Sequence, residues 1–375
     1  MNNKFKISLI ANDDLLNGPS LAQFRFAKSL SNKGHHVEIL VVKRFYKNDI
    51  SRFENKKIKI IDLNKSRTFL IIPFLIKYLI KVKPDVFFSA GDHINLILII
   101  STLISFSKCK LSLSSRVSPY DAYLNHGKKD FNSNTNKRAI FMRILFKLLI
   151  WRADALTCVS QDMVNDYQVI FGKTKHVCVY NIIKDADSDI LQNEEISDKW
   201  FLNNTDPLII AAGQLSVWKG FEDLINAYSL IEKKIPHKLV ILGDGEDKPK
   251  LINLIEQKKL NKKIYLPGYV TNPLKYFKKS EIFVLSSLRE GMPNVLIEAM
   301  MCGCTPVSTN CKTGPSEIIK NNKYGYLSPI KNPNLLAQNI LKAIENPIPK
   351  KQLDKVLKQF DSEEIIKEHF DLLNI

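Results

Sequence analysis

Short apolar runs alternate with amphipathic stretches along almost the whole chain. Phe5–Ala11 and Val37–Val42 are apolar without internal polar alternation, and Pro19–Gly34 between them has helical spacing. Strands that are apolar on both sides are typical of a parallel sheet covered by helices on both faces. The pattern therefore predicts a doubly wound α/β fold. Further strands of this first series are predicted at Ile58–Ile61, Val86–Ser89, Lys110–Ser114, Ala155–Val159 and His176–Tyr180.

The alternation breaks once, at the polar and acidic residues 182–206, and a second α/β series follows. We therefore predict two Rossmann-like doubly wound domains that face each other across a cleft. Ligands of such sheets bind at the carboxyl ends of the strands. The predicted boundaries are 1–185 for the first domain, 186–206 for a linker, 207–358 for the second domain and 359–375 for a final helix that can return to the first. Strands of the second series are predicted at Pro207–Gly213, Lys238–Leu242, Lys263–Leu266, Glu281–Leu285 and Thr305–Ser308.

Composition and charge narrow the class of protein. The chain has 375 residues, 45% of them hydrophobic and 25% charged, which excludes a disordered or fibrous protein and fits two domains. The net charge is +17, and residues 1–185, with 30 basic and 14 acidic side chains, carry +16 of it. A basic face of this kind suits an anionic membrane or a nucleic acid, and a plainly solvated surface would also explain it.

The six cysteines and the apolar segments predict a cytoplasmic protein. No two cysteines form a C-x-x-C pair, and several lie in apolar runs, as core thiols do in a reducing compartment. The apolar stretch before Asp13 is too short for a signal peptide. The longest uncharged apolar segment, His93–Ser107, is shorter than the roughly 18 residues that a membrane span needs.

The most informative motif is REGMPNVLIEAM, residues 289–300, which follows a predicted strand. Gly291 and Pro293 favour a tight loop before a helix whose first N–H groups can bind an anion or a sugar hydroxyl. Glu290 and Glu298 supply carboxylates, which accept hydrogen bonds from vicinal hydroxyls of a ribose or hexose. The alternative is a helix-capping Glu290 and a solvated Glu298.

Three other segments place polar loops between a strand and a helix. In AAGQLSVWKGF, residues 211–221, Lys219 stands near a helix N-terminus, which is unfavourable for a cation unless an anion lies between them; an exposed lysine is the alternative. CKTGPSEII, residues 311–319, has a Gly-Pro turn and Glu317 in the first helical turn, which is also what a simple capped helix shows. NGPS, residues 17–20, lacks the G-x-G-x-x-G pattern, so a dinucleotide-dependent oxidoreductase is disfavoured.

Taken together and in this order, these segments resemble the family-4 retaining glycosyltransferases of the GT-B fold, of the bacterial surface-polysaccharide type. GHHV after the first helix, ADALTCVSQ, VYNII, LGDGE and YGYL extend the resemblance over nearly the whole chain. It implies that Lys219 holds the donor's diphosphate, that Glu290 binds hydroxyls of the donor sugar, and that Glu298 binds the ribose. The implied donor-binding residues are Gly18, Gln214, Lys219, Glu290, Gly291, Met292, Pro293, Asn294 and Glu298.

Two positions depart from the family pattern. Gln214 stands where relatives have an arginine, so one positive charge is missing. Many relatives carry a histidine after the fifth strand of the first domain, where this chain reads SSRVS; Ser115 or Arg116 stands there instead, and no catalytic histidine is assigned. The resemblance thus implies Glu290, Lys219 and Arg116 as the catalytic set.

The implied reaction is transfer of a hexose or N-acetylhexosamine from a nucleotide donor, expected to be a UDP-sugar with a GDP-sugar left open, to a hydroxyl of a lipid-linked oligosaccharide. The resemblance implies retention at the anomeric carbon by a same-face mechanism, without an enzymic nucleophile. No cofactor and no metal are expected. The acidic run Asp185, Asp187, Asp189 has the Asp-x-Asp spacing of a metal site in the other glycosyltransferase fold, but we interpret it as a solvated linker.

Several further residues have two interpretations. His93 and Asn95 follow the fourth strand, where one of them contacts a ligand or both simply begin a helix. Trp218 packs on a nucleotide or on its own loop. Trp151 belongs to the core or faces a membrane. Arg67–Lys83 and Lys137–Arg152 combine basic and large apolar residues, as interfacial helices do.

These basic helices predict a peripheral protein on the anionic inner face of the cytoplasmic membrane, and nucleic acid is not expected as a partner. Alternatives to the transferase are an inactive sugar-nucleotide-binding subunit, which the missing arginine at Gln214 makes conceivable, a GT-B sugar-nucleotide epimerase, and a nucleic-acid-binding protein that uses the basic half.

Overall fold

The computed structural model describes residues 4–13, 18–43, 53, 56–120 and 137–375. The chain forms two compact units. Residues 1–185 and 360–375 make the first unit, and residues 186–359 make the second. Each unit has the predicted doubly wound α/β architecture, with helices on both faces of a parallel sheet.

Within the described part of the first unit, seven parallel strands form one sheet in the order β3-β2-β1-β4-β5-β6-β7. Its register aligns Ile7 of β1 with Val37 of β2 and Val86 of β4. The strands are β1 Lys6–Asp13, β2 His36–Lys43, β3 Ile58–Asp62, β4 Val86–Ala90, β5 Lys110–Ser115, β6 Ala155–Cys158 and β7 His176–Cys178. The helices are α1 Gly18–Asn32, α2 Ile72–Val82, α3 Asp92–Ile104, α4 Lys137–Leu149 and α5 Gln161–Phe171, with α15 Ser362–Leu373 from the end of the chain.

Both faces of this first sheet are buried. Alternate side chains of β1 point to opposite sides, so Leu9 packs in one core cluster and Ile10 in another. The final helix α15 contributes Ile365 and Ile366 to the cluster that contains Leu9. Burial on both sides explains why the strands read as continuous apolar runs.

The second unit repeats this plan. Within the described residues, six parallel strands lie in the order β10-β9-β8-β11-β12-β13. The strands are β8 Leu208–Ala212, β9 Lys238–Leu242, β10 Ile264–Gly268, β11 Ile282–Leu285, β12 Thr305–Thr309 and β13 Tyr326–Ser328. The helices are α6 Ser188–Gln192, α7 Lys199–Asn203, α8 Phe221–Ser229, α9 Lys248–Gln257, α10 Leu274–Lys278, α11 Asn294–Met301, α12 Pro315–Ile319, α13 Pro333–Glu345 and α14 Lys350–Leu357.

Residues 186–206, predicted as a linker, belong to the second unit. This segment forms α6 and α7 and packs on the second unit, where Trp200 stacks on Tyr265 with ring centroids 4.6 Å apart and Asn272 Nδ2 donates to the Leu191 carbonyl at 2.8 Å. Asp185 is not solvated either, because its side chain is 6% exposed and lies 3.6 Å from Arg25 Nε. The polar sequence of residues 185–206 gave no indication of these contacts.

The three-residue strand β13 was not predicted, because so short a run has no readable period. Five of the six cysteines are buried, as core thiols are, and Cys178 is half-buried. Within the described ranges, no helix is long and apolar enough to cross a membrane.

Candidate functional site

The candidate site is built from loops at the carboxyl ends of strands in the second unit. After β8, the chain makes a 3₁₀ turn at Val217–Lys219 and enters α8 through Gly220. Gly220 has a φ of 62°, and a Cβ on it would lie 2.1 Å from the carbonyl oxygen of Ser286. Only glycine fits this position, because it must turn left-handed and contact another backbone at once.

The loop after β9 packs directly on the loop after β8. A Cβ on Gly243 would lie 1.9 Å from the Gly213 carbonyl oxygen, and one on Gly245 would lie 2.3 Å from the Leu215 carbonyl oxygen. The Leu215 N–H donates to the Asp244 carbonyl at 2.9 Å. The glycines of the LGDGE motif therefore hold the lysine-bearing loop by backbone contact.

The loop after β11 holds the other side of the 217–219 turn. Ser286 Oγ donates to the Lys219 carbonyl at 2.8 Å, and the Leu288 N–H donates to the Trp218 carbonyl at 2.8 Å. The Arg289 guanidinium lies over the Trp218 ring, 4.6 Å from its centroid. The Trp218 ring therefore packs against the loop after β11.

These contacts bring Lys219 and Glu290 together. Lys219 Nζ lies 2.6 Å from Glu290 Oε1, and Ser287 Oγ donates to the same oxygen at 2.6 Å. The Glu290 side chain is 9% exposed and that of Lys219 is 25% exposed. None of the described residues donates to Glu290 Oε2. The Glu290 carboxylate is also the anion that a lysine near the N-terminus of α8 requires, because it neutralises the charge of Lys219 there.

The loop after β12 completes the arrangement. Thr313 Oγ1 donates to the Glu290 carbonyl, and a Cβ on Gly314 would lie 2.5 Å from Pro293 Cδ. Pro293 caps α11, which begins at Asn294 rather than at the proline itself. This fixes residues 290–294 between two loops, so the first N–H groups of α11 have a defined direction.

Glu298 lies inside α11 and is 6% exposed, so its interpretation as a solvated carboxylate was wrong. Cys311, which the sequence did not single out, is buried near the pair. Burial and the charge of Glu290 raise the pKa of the Cys311 thiol to about 12, so it stays protonated and is a poor nucleophile. Gln214 is exposed on the loop after β8.

Comparison with known proteins assigns the chain to a family. An uncharacterized glycosyltransferase of Methanocaldococcus jannaschii, MJ1059, is 30% identical over 371 aligned residues, which cover 84% of this chain and 87% of the relative. The sequence model of the family "Glycosyl transferases group 1" matches residues 192–360. The chain belongs to the group 1 glycosyltransferases. The resemblance predicted from the motifs is confirmed at this level, and the protein is a glycosyltransferase.

Two further proteins are similar to this glycosyltransferase. A Campylobacter jejuni relative named N-acetylgalactosamine-N,N'-diacetylbacillosaminyl-diphospho-undecaprenol 4-alpha-N-acetylgalactosaminyltransferase is 31% identical over 244 residues, 64% of this chain and 62% of the relative. The crystal structure of Anabaena HepE with UDP and glucose superposes with a TM-score of 0.77 at 17% identity and covers 99% of both chains. The latter confirms the predicted GT-B-type fold.

The first unit of this group 1 glycosyltransferase carries the other predicted residues. Arg116 directly follows β5, and its Nε and Nη1 atoms are buried without a hydrogen-bond partner among the described residues. Burial lowers the pKa of the Arg116 guanidinium to about 10. Ser115 is occupied elsewhere, since its Oγ donates to Asp92 Oδ1 at 2.6 Å. Tyr167 donates to the other oxygen of that carboxylate.

The neighbouring candidates differ in their roles. Asn95, on α3, is fully buried and donates through Nδ2 to the Ser114 carbonyl of β5 at 3.0 Å. Ser89 of β4 donates to its Oδ1, so the Asn95 amide connects two neighbouring strands. His93 is exposed at the start of α3. Gly18 is exposed and begins α1 with a φ of 43°. Within the part of the chain that the structure describes, no three His, Cys, Asp or Glu side chains group as metal ligands would.

Proposed function

We propose that this glycosyltransferase transfers a hexose or N-acetylhexosamine, with retention at the anomeric carbon, from a UDP-sugar to a hydroxyl of a lipid-linked oligosaccharide in the synthesis of a bacterial surface polysaccharide, such as a lipopolysaccharide or a capsule. The observation that carries the proposal is the half-buried Lys219–Glu290 pair at the carboxyl ends of β8 and β11. The C. jejuni relative, named for transfer to a diphospho-undecaprenol-linked glycan, and the HepE complex with UDP and glucose support the acceptor and the donor.

Lys219 has the chemistry that a departing nucleoside diphosphate needs. An ammonium group fixed near a helix N-terminus stabilises charge that develops on phosphate oxygens, and it does so best where water is limited. The Ser286 and Glu290 contacts hold the lysine in place before the donor arrives. A preorganised cation needs no reorganisation during the reaction.

Glu290 can accept a hydrogen bond from the donor sugar through its Oε2 atom. Its Oε1 is occupied by Lys219 and Ser287, whereas no described residue donates to Oε2. A carboxylate oxygen of this kind accepts a strong hydrogen bond from a sugar hydroxyl. Glu298, on α11, is assigned to the ribose, with backbone groups of residues 291–294 beside the sugar.

The transfer itself needs no nucleophile from the protein. The bond between the anomeric carbon and the diphosphate oxygen breaks, and the acceptor oxygen bonds to the same face of that carbon. The acceptor's proton passes to an oxygen of the departing phosphate. Cys311 agrees with this scheme, because burial and the charge of Glu290 raise the pKa of its thiol and it is not a thiolate. No metal is assigned a role.

A lipid-linked acceptor assigns the enzyme to the inner face of the cytoplasmic membrane as a peripheral protein. The strongly basic first 185 residues support an anionic membrane as partner, since each basic residue near such a surface adds to the attraction. Nucleic acid is not assigned as a partner.

Thermal melting with UDP, GDP, ADP and CMP tests the donor assignment, first without metal and then with magnesium. We expect UDP alone to raise the melting temperature, without a further effect of magnesium. A ligand at 100 times its dissociation constant should stabilise the fold by about 2.7 kcal/mol. The absence of a shift with every nucleotide would contradict the roles of Lys219 and Glu298.

The second candidate function is an inactive sugar-nucleotide-binding subunit, which is favoured by the exposed Gln214 at the position where relatives have an arginine. An assay of transfer from radiolabelled UDP-sugars to lipid-linked oligosaccharides distinguishes it from the transferase. UDP binding without transfer to any acceptor would support that second candidate.

In the same assay, the catalytic role of Arg116 predicts that Arg116→Gln lowers kcat and leaves the UDP-induced melting shift intact. An unchanged kcat would remove Arg116 from the catalytic set.

A further inference from the structure

Helix α4 exposes a row of large apolar side chains that the transfer reaction does not use. Phe141, Ile144 and Leu148 are 62%, 53% and 64% exposed, and Trp151, in the 3₁₀ turn that follows, is 71% exposed. Spacings of three and four residues place these four side chains, with Ile140, on one stripe of the helix. We call this stripe the α4 ridge.

The ridge is not the core-facing side of the helix. Phe146, on the opposite side, is 1% exposed and packs edge-on against Phe171, with ring centroids 5.7 Å apart. The helix is thus apolar both towards its own unit and towards the outside. Soluble proteins rarely leave a contiguous apolar stripe exposed, and such stripes mark sites that bind proteins or membranes.

A second exposed aromatic residue lies next to the end of the ridge. Phe106 is 89% exposed and has a φ of 49°, an unfavourable conformation for a bulky residue. Arg152, which follows Trp151 in the chain, donates from Nη2 to the carbonyls of Ser107 at 2.9 Å and Cys109 at 3.0 Å. These bonds hold the turn at Phe106 beside the end of the ridge.

Basic side chains accompany the apolar ones. Arg143 and Lys147 lie within α4, and Lys108 follows Phe106 by two positions. Phe106 and Lys108 also line an open groove of about 640 Å³ together with Ile80 and Lys83. Large apolar groups with flanking lysine and arginine match the layered chemistry of an anionic bilayer, where acyl chains lie below phosphates. Association of two copies through this surface would bring basic residues together and is therefore disfavoured.

We propose that the α4 ridge and Phe106 insert into the headgroup region of an anionic bilayer, with the neighbouring basic side chains against lipid phosphates. The inference rests on the proposed function in one respect: a lipid-linked acceptor is the reason why the enzyme would need to dock on a membrane. It names the surface that contacts the membrane, which net charge alone does not.

Vesicle flotation of the full chain, without donor or acceptor, tests the surface. We expect binding to vesicles containing phosphatidylglycerol and little binding to pure phosphatidylcholine, with a loss of binding as salt rises. Leu148→Asp and Phe141→Asp should each reduce binding at least about tenfold, since a charge then replaces an inserted side chain. Leu202→Asp is the matched control, because Leu202 is 67% exposed on α7 in the other unit.

Tryptophan fluorescence gives a second measurement on the same samples. Insertion should shift the emission to shorter wavelength, and Trp151→Phe should abolish that shift. Trp200, stacked on Tyr265 in the second unit, should not respond. Unchanged melting temperature and UDP response of the Asp variants exclude misfolding as the cause of lost binding.

Equal vesicle binding by the wild type and both Asp variants would overturn the inference, and so would equal binding to neutral and anionic vesicles. A concentration-dependent dimer that Leu148→Asp dissociates would also overturn it, because a second copy of the chain would then cover the ridge. Vesicle binding with no nucleotide response would instead retain the membrane surface and contradict the proposed transferase. The two failures are therefore distinguishable.

Discussion

Lys219 and Glu290 are 71 positions apart in the chain, yet they form the pair on which the proposed chemistry depends. The sequence identified both residues and predicted a phosphate partner for the lysine, but it did not predict that they would bind each other. The supporting hydroxyl of Ser287 and the Thr313 bond to the Glu290 carbonyl were also missed. Serines and threonines after strands are too common to be recognised without their neighbours.

Substitution of the pair should separate nucleotide binding from catalysis. Lys219→Ala should weaken UDP binding about 10- to 150-fold, as expected for the loss of a hydrogen bond to a charged group worth about 1.5–3 kcal/mol. Glu290→Gln should leave UDP affinity nearly unchanged and lower kcat for sugar transfer. Calorimetric titration with UDP and steady-state kinetics measure the two effects.

The matched control is Lys250→Ala, which breaks an exposed pair with Glu222 in the same unit and should change neither quantity. Equal loss of UDP affinity in the Lys219 and Lys250 variants would mean that charge in general, not the position of Lys219, attracts the nucleotide.

At the scale of elements, the site depends on glycines that let loops contact each other by backbone. Gly220 ends the turn that carries Lys219, and its φ of 62° and contact with Ser286 both exclude a side chain. The sequence predicted a loop and a helix here. The contact with the loop after β11 could not be predicted, because it joins strands that are neighbours only in the folded sheet.

Gly220→Ala should therefore damage both stability and donor binding. The left-handed conformation costs alanine about 1–2 kcal/mol, and relief of the clash must move Ser286 away from the Lys219 carbonyl. We expect the melting temperature to fall by at least about 4 °C and UDP affinity to fall with it.

Gly303→Ala separates the two causes of that damage. Gly303 also has a positive φ, of 98°, but a Cβ there would meet nothing closer than Lys350 Cδ at 3.9 Å. This variant should lose some stability and keep its UDP affinity. Loss of UDP affinity in both variants would show that strain alone, and not the loop contact, disturbs the site.

At the scale of the whole molecule, the last helix belongs to the unit formed by the beginning of the chain. His369 on α15 is buried against Phe26 and Phe88, and its Nδ1 lies 3.2 Å from Ser112 Oγ. Burial lowers the pKa of His369 to about 3, and the charge of Arg116 acts in the same direction. The folded first unit therefore holds this histidine neutral.

This burial predicts a loss of stability in acid. Below about pH 6.5 the unfolded chain binds a proton at this histidine that the folded chain does not, so the free energy of unfolding should fall as pH decreases from 6.5 towards 3. His176, whose pKa burial lowers to about 4, should contribute in the same sense. Melting temperatures between pH 7.5 and 4.5 measure the slope.

His369→Gln should flatten this slope without removing it, because His176 remains. His36→Gln, a change on an exposed position of β2, serves as the control and should retain the slope of the wild type. A slope that is the same in all three proteins would show that carboxylates, rather than His369, account for the acid lability.

The sequence by itself determined the fold class, every described strand except the short β13, and the loop motifs that contain Lys219 and Glu290. Doubly buried strands leave long apolar runs, and strand-to-helix loops leave compact motifs. The sequence misjudged Asp185, and it did not predict how residues 186–206 pack, because their polar side chains find partners elsewhere in the fold. The tertiary structure alone decided which loops meet, which charges pair and which apolar side chains of α4 stay outside. These outcomes depend on contacts between distant segments, and local periodicity carries no information about such contacts.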